Sequence, residues 1–131
     1  MVNLYGNGLS MGEKTLDCLW MRQELTLNNI ANVDTPGFKS QYLTFEQELS
    51  NRIQSALSTG KKYQRRNIAG AIEHTQPTLR TTWNESSRLD ENNVDMDQEQ
   101  VELARTAYEY QYMVSSVSSE LSRLRSAAKT F

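Results

Sequence analysis

The feature that most constrains this chain is an apolar repeat that runs through its last third. No glycine or proline interrupts residues 94–131, and from Leu103 onward apolar side chains recur at alternating steps of four and three. This is the heptad spacing of a coiled-coil seam. The predicted seam consists of Leu103, Ala107, Tyr110, Val114, Val117, Leu121, Leu124, Ala128 and Phe131. A helix of about 36 residues would be about 54 Å long at 1.5 Å per residue. A small domain cannot cover such a helix on all sides, so the sequence predicts that it pairs with another helix.

Polar residues mark the start of this C-terminal helix. Asp95 is suited to cap the helix, and Gln98, three positions later, can reach back to it. Farther along, Tyr108 and Tyr112 share one flank, and surface tyrosines suit protein interfaces. Ordinary amphipathic packing explains the two tyrosines equally well.

A second amphipathic segment lies at the other end of the chain, where the pattern predicts a helix from about Ser10 to Asn32. Asn7-Gly8 precedes it, and the proline that follows cannot continue a helix. Pro36-Gly37 suits the central positions of a type II turn, which needs a positive φ at its second central residue. The apolar members of this helix are Leu9, Leu16, Leu19, Trp20, Leu27, Ile30 and Val33.

The sequence therefore predicts a mainly α fold in which long N- and C-terminal helices pair as a coiled coil, either parallel or antiparallel. Residues 1–40 form the N-terminal helix and turn, residues 41–92 an irregular middle segment, and residues 93–131 the C-terminal helix. A short helix capped by Thr44 is possible at 44–57, and Thr78–Trp83 has strand-like composition. The rest of the middle is either a small β-containing element or a loop that orders only in an assembly.

Composition narrows the function classes. The chain has one cysteine, Cys18, and one histidine, His74, which argues against a disulfide framework, a metal site or another cofactor site. A net charge of −2 does not favour nucleic acid, and no apolar run is long enough to span a membrane. The start lacks a cleavable signal, which taken alone suggests a cytoplasmic protein. The sequence shows no set of polar residues that would converge on a catalytic site, so it does not predict an enzyme. The charge is uneven, at −3 for residues 1–49, +5 for 50–88 and −4 for 89–131.

Two segments carry a family resemblance. The first reads Asn-Asn-Ile-Ala-Asn-Val-Asp-Thr-Pro-Gly-Phe-Lys at residues 28–39, and the second reads Leu-Asp-Glu-Asn-Asn-Val-Asp-Met-Asp-Gln-Glu at residues 89–99. Together they resemble the signature of flagellar axial proteins, and the short length is similar to that of the proximal-rod members. Glu91 departs from the pattern, because glycine is common there, so the turn before Asn92 is expected to be shaped differently. Phe38 stands where tyrosine is frequent.

The resemblance implies two sets of functional residues. The expected assembly motif comprises Asn29, Ile30, Ala31, Asn32, Thr35, Pro36, Gly37, Phe38, Asn92, Asn93, Val94 and Asp95. The expected helix-packing residues are Leu16, Leu19, Trp20, Leu27 and Ile30, together with the C-terminal seam listed above in the order Leu103 to Phe131.

The resemblance also implies a role. It predicts a non-enzymatic structural subunit of the flagellar basal-body rod, a hollow drive shaft between the inner membrane and the peptidoglycan. The implied partners are copies of the chain itself, other rod proteins, the adaptor protein at the MS ring and the flagellar export apparatus, with export that needs no cleaved signal. No cofactor, nucleic acid or membrane insertion is implied. The alternative is a cytoplasmic coiled-coil adaptor or regulator, which would share the heptads but would not need the Thr35-Pro36-Gly37 segment.

Overall fold

The computed structural model describes residues 6–58, 64–83 and 89–129. Within these ranges the chain forms four helices and two short strands, which confirms the predicted mainly α fold with a small β element in the middle. In chain order the elements are α1 (Asn7–Ala31), β1 (Gln41–Thr44), α2 (Glu46–Ser58), α3 (Gln64–His74), β2 (Thr78–Thr81) and α4 (Met96–Lys129).

The terminal helices α1 and α4 pack side by side in opposite directions. Near the start of α1, a Cβ built on Gly12 would lie 2.7 Å from Cγ2 of Val117. Near its end, the Asn29 amide bonds to Glu99 at 3.0 Å. Positions early in α1 therefore meet positions late in α4, and of the two orientations that the sequence allows the pair adopts the antiparallel one. Because glycine has no side chain, the two backbones approach closely at Gly12.

The start of α1 differs from the sequence prediction. Asn7 and Gly8 belong to its first turn, although they were expected to precede the helix. The N-cap is Gly6, none of the described side chains caps the helix, and its first turn contains no acidic residue. The carboxylate of Glu120 on α4 lies against this turn, 2.7 Å from a Cβ built on Gly8. A negative charge there favours the positive end of the α1 dipole.

The middle of the chain packs on another side of α1 as a small module made of β1, α2, α3 and β2. Its core joins Cys18 of α1 to Phe45, Leu49 and Ile72, with Leu43, Ile53 and Ile68 partly buried around it. The strands pair antiparallel, from Gln41 opposite Thr81 to Thr44 opposite Thr78. Burial raises the pKa of the Cys18 thiol to about 11, with the nearby Glu46 charge adding to the effect. The thiol is therefore a packing group in this core.

Two details of the middle module differ from the sequence prediction. Helix α2 begins at Glu46, two residues after the expected start, because Thr44 is the last residue of β1 and does not cap the helix. Helix α3 was not anticipated. Its apolar content is small, and the signal for it is the pair Ile68 and Ile72, four residues apart, which face the core.

Candidate assembly site

The turn that follows α1 has the geometry that its sequence predicts. Gly37 has a φ of +71°, and the N–H of Phe38 donates to the carbonyl of Thr35 at 3.3 Å. These are the features of a type II turn with Pro36 and Gly37 at its centre. The N–H of Gly37 also donates to the carbonyl of Asp90 at 2.7 Å. The first motif is therefore in direct contact with the second.

Asn92 joins the two motifs most closely. Its side chain is fully buried, and its Nδ2 donates to the carbonyls of Asn32 at 2.9 Å and of Thr35 at 2.8 Å. Its Oδ1 accepts the N–H of Val94 at 2.8 Å. The buried amide group of Asn92 thus donates two hydrogen bonds to the end of α1 and the turn after it, and accepts one from the segment that leads into α4.

Asn93 extends this connection to the sheet. Its backbone N–H donates to the carbonyl of Phe38 at 3.3 Å. Its Oδ1 accepts the N–H of Ser40 at 2.8 Å, and its Nδ2 donates to the carbonyl of Thr82 at 2.9 Å. Asn93 therefore binds the chain just before β1 and just after β2.

Asn29 connects α1 to both β1 and α4. Its Nδ2 donates to the carbonyl of Gln41 at 2.8 Å and to Oε1 of Glu99 at 3.0 Å. Its Oδ1 accepts the N–H of the same Gln41 at 3.0 Å. Burial raises the pKa of the Glu99 carboxyl, and the hydrogen bond from Asn29 opposes that rise.

The start of α4 is capped as predicted. Oδ1 of Asp95 accepts the N–H groups of Asp97 at 3.0 Å and of Gln98 at 3.3 Å. Just before it, Glu91 has a φ of 61°, a left-handed conformation that glycine adopts without strain. The expectation of a differently shaped turn is therefore not supported, since Glu91 takes the backbone conformation that a glycine would favour.

The remaining residues of the expected assembly motif divide by exposure. Ile30, Asn32 and Phe38 are half-buried, and Val94 is buried. The exposed members are Ala31, Thr35, Pro36, Gly37 and Asp95. Of the twelve motif residues, three are therefore buried, four are half-buried and five are exposed, and the exposed five are the most accessible to a neighbouring subunit.

The expected helix-packing residues also divide. Leu19 is buried, and Leu16, Ile30, Leu103, Ala107, Tyr110, Val117 and Leu124 are half-buried. Ala128 is exposed, and Phe131 lies outside the described residues. Helix α4 also has buried or half-buried residues that the heptad reading did not select, among them Thr106, Met113 and Glu120. For Glu120 the signal was Gly8 on α1, which leaves room for its carboxylate.

Four large apolar side chains from the same set are exposed, two on α1 and two on α4. The two on each helix are seven residues apart and so share one face of it, and we call the four together the outer stripe. Trp20 is 56% exposed, Leu27 48%, Val114 40% and Leu121 45%. The Trp20 ring lies 6.5 Å from that of Tyr110, which places residues from both helices on one surface. A separate exposed group, formed by Val101, Tyr108 and Tyr112, lies on the back of α4.

On the inner side of the pair, a cleft of about 770 Å³ separates α4 from β1 and the start of α2. Arg22 of α1 lies in this cleft and forms ion pairs with Glu46 and with Glu109. Burial would raise the pKa of Glu46, but the hydrogen bond from Arg22 and bonds from backbone N–H groups lower it below its ordinary value. Arg22 therefore links three helices across the cleft.

The described parts of the chain offer neither a metal site nor a membrane-spanning helix. Among the described residues, no group of histidine, cysteine, aspartate and glutamate side chains could hold a metal ion. Within those ranges, neither α1 nor α4 is apolar enough to cross a membrane, and the same holds for the shorter helices. The long antiparallel pair and its exposed apolar stripe are instead typical of a helical structural protein that assembles with other subunits.

Comparison with known proteins identifies the family. The profile of the family described as "Flagella basal body rod protein" matches residues 21–39, the end of α1 and the turn after it. The flagellar basal body rod protein FlgB of Borrelia hermsii is 31% identical over 116 residues, covering 83% of this chain and 86% of that protein. FlgB of Escherichia coli K12 is 28% identical over 127 residues, covering 92% of each chain. The FlgB protein of Bacillus subtilis is 26% identical over 124 residues, or 95% of each.

The chain belongs to the FlgB family of flagellar basal body rod proteins. Membership makes it a structural subunit of the rod, located in the flagellar basal body with other components of that structure. The alternative of a cytoplasmic coiled-coil adaptor is not favoured, because the relatives match along nearly the whole chain and share one role.

Proposed function

We propose that this subunit builds the rod by packing its α1–α4 pair against the helix pairs of neighbouring subunits, with the outer stripe as the contact. The observation that carries the proposal is the exposure of Trp20, Leu27, Val114 and Leu121 along one side of the pair. Full burial of a large apolar side chain contributes roughly 1.5–3 kcal/mol. Four half-exposed side chains in one line therefore offer a substantial gain to any neighbour that covers them.

The expected helix-packing residues fit this proposal in two ways. Val117 is half-buried and lies against Gly12 of α1 in the same chain, whereas Val114, Leu121 and Ala128 are exposed and available to a neighbour. A heptad pattern does not distinguish a contact within the chain from one between chains. In this proposal both kinds of contact share the same repeat.

The finer assignments follow from the family. The proposed neighbours are copies of this chain in a helical array, other rod proteins and the adaptor protein at the MS ring, around the channel of a hollow shaft. The chain would reach that position through the flagellar export apparatus, without a cleaved signal peptide. The exposed members of the assembly motif, among them Thr35 and Pro36, are further proposed points of contact.

The test is a pair of charge substitutions on the outer stripe. Val114→Asp with Leu121→Asp puts two carboxylates into the proposed apolar contact, at a cost of several kcal/mol, roughly 3 or more, if they cannot reach water. The matched control is Ser115→Asp with Ser122→Asp, because each serine is exposed and lies one position along α4. We expect cells with the stripe variant to export the protein but to show no rod in electron micrographs of basal bodies.

Circular dichroism of both purified variants separates assembly from folding. The proposal requires the stripe variant to keep its helix content and the control to build normal rods. Normal rods and swimming in cells that carry only the stripe variant would contradict it.

A further inference from the structure

The two motif segments enclose three asparagine side chains, and we infer that Asn29, Asn92 and Asn93 are positioning residues that set where α4 crosses α1. They act inside one chain and not at a contact between subunits. Only the final step of this inference, from helix crossing to assembly, rests on the proposed function.

The chemistry of the three side chains supports this role. A carboxamide carries the same donor and acceptor groups as a peptide bond, so it can complete backbone pairing where no strand is available. Asn29 binds both the N–H and the carbonyl of Gln41, as a neighbouring strand would. Asn93 likewise binds Ser40 and Thr82 at the end of the sheet. Without these amides, several backbone groups that lie below the surface would lose their partners.

Burial excludes a direct contact with a neighbour for two of the three. Asn29 and Asn92 are 2% and 0% exposed. The partners described above for these two residues belong to α1, the turn after it, β1, the approach to α4 and α4 itself. A neighbouring subunit can therefore sense these residues only through the arrangement that they impose on α1 and α4.

That arrangement determines whether the outer stripe exists as one surface. Trp20 and Leu27 lie on α1, whereas Val114 and Leu121 lie on α4, and the described part of α4 has Thr106 as its single buried residue. Half-buried side chains along a helix specify rotation and register weakly. The asparagines bind specific atoms at the entrance to α4, so they give the crossing a defined geometry.

The sharpest test uses an isosteric change that reverses one donor. Asn29→Asp replaces an Nδ2 that donates to Gln41 and Glu99 by a carboxylate oxygen that faces two acceptors. The control is Asn28→Asp, one position earlier on the same helix, where the side chain is exposed and its Oδ1 already accepts a bond from Asn32. The purified chain is melted by circular dichroism, and rods are scored in cells that carry the same variants.

At about pH 7.5 we expect Asn29→Asp to lower the melting midpoint by roughly 10 °C, and Asn28→Asp to leave it almost unchanged. Burial beside Glu99 raises the pKa of an aspartate at 29 in the folded chain above its unfolded value. Protonation of this aspartate therefore favours the folded chain at low pH, and this stabilisation is lost as the pH rises through the pKa that the aspartate has in the folded chain. The gap to the parent chain should narrow at about pH 5, where the proton restores one donor. We expect cells that carry Asn29→Asp to lose their rods, in parallel with the lower melting midpoint of the purified chain.

Three results would overturn the inference. A parent chain without a cooperative melt would show that the asparagines do not order the isolated subunit. A variant that melts like the parent but builds no rod would show that position 29 is a contact between subunits. A variant that melts early yet builds normal rods would show that the crossing does not control assembly. None of these depends on which surface the neighbours cover, so the proposed use of the outer stripe can fail independently through the Val114 and Leu121 variant.

Discussion

The middle module and helix α4 are held in different ways, although both pack on α1. The module shares a buried apolar core with α1, in which Phe45, Ile72 and Cys18 are almost inaccessible to solvent. Helix α4 has 34 residues, and its single buried residue among those described is Thr106, a polar one. The apolar side chains of α4 are half-buried or exposed. The segment of irregular sequence therefore forms the well-packed body, whereas the long, regular helix keeps much of its apolar surface uncovered within the chain.

The test of this difference with the largest expected effect compares the same truncation, leucine to alanine, in the module and in α4. Leu49→Ala removes a leucine side chain of the module that is 5% exposed, and such a loss costs about 2–5 kcal/mol. Leu124→Ala removes a half-buried side chain of α4 and should cost about 1 kcal/mol, since part of that side chain stays exposed to water in the folded chain. Urea denaturation of the purified variants measures both. Equal losses would show that α4 is packed as tightly as the module.

A smaller effect is expected where α1 and α4 approach most closely. Gly12→Ala adds a Cβ 2.7 Å from Cγ2 of Val117, so the helices must separate or Val117 must move, at a cost of about 1–3 kcal/mol. Shortening the opposing side chain in the double variant Gly12→Ala, Val117→Ala should recover part of that loss. Full additivity of the two single changes in a double-mutant cycle would mean that the backbones are not in close contact there.

A substitution in the turn that leads into α4 should stabilise the chain, in contrast to the two destabilising changes above. Glu91 has a φ of 61°, and a left-handed conformation costs a non-glycine residue about 1 kcal/mol. Glu91→Gly should therefore raise the free energy of unfolding by about that amount. The hydrogen bond that Lys39 donates to residue 91 is kept, because its acceptor is the backbone carbonyl. Glu91→Ala, which keeps the Cβ, is the control and should give no gain.

The smallest predicted change concerns the buried hydroxyl of α4. Over the described ranges, Oγ1 of Thr106 is buried without a hydrogen-bond partner. Thr106→Val keeps the shape and removes the unpaired group, so it should stabilise the chain by about 1 kcal/mol or less. The urea midpoint would then rise slightly. A clear decrease would indicate that this hydroxyl has a partner, such as a buried water, between the helices.

The parts of the fold that followed from sequence are those set by neighbours along the chain. The cap at Asp95, the long helix after it and the turn at Pro36-Gly37 each depend on a few consecutive residues. Strand β1 did not follow, because Gln41–Thr44 is paired with Thr78–Thr81, whose residues lie 34 to 40 positions later in the chain. Helix α3 did not follow either, since its two isoleucines gain their burial from Leu49 and Phe45 on other elements.

The candidate site shows the same division. Its residues were recognised as a family motif, but sequence could not reveal that Asn92 binds Asn32 or that Asn29 binds Gln41. A side-chain amide forms the same bonds within a chain as between chains, and only coordinates show which partner is present. The heptad pattern could not separate Val117 from Val114 for a similar reason, because the decisive feature is the absence of a side chain at Gly12 on the other helix.

The contact between Glu120 and the first turn of α1 has a consequence for a chain that emerges one end at a time. The first turn of α1 has no acidic residue and, among the described residues, no side-chain cap, and the carboxylate beside Gly8 comes from a residue more than a hundred positions later. An early turn of the chain is thus completed electrostatically by residues that are synthesised much later. Until those arrive, the opening turn of α1 lacks its compensating charge and is free to fray, whereas the end of that helix can already fold against the module.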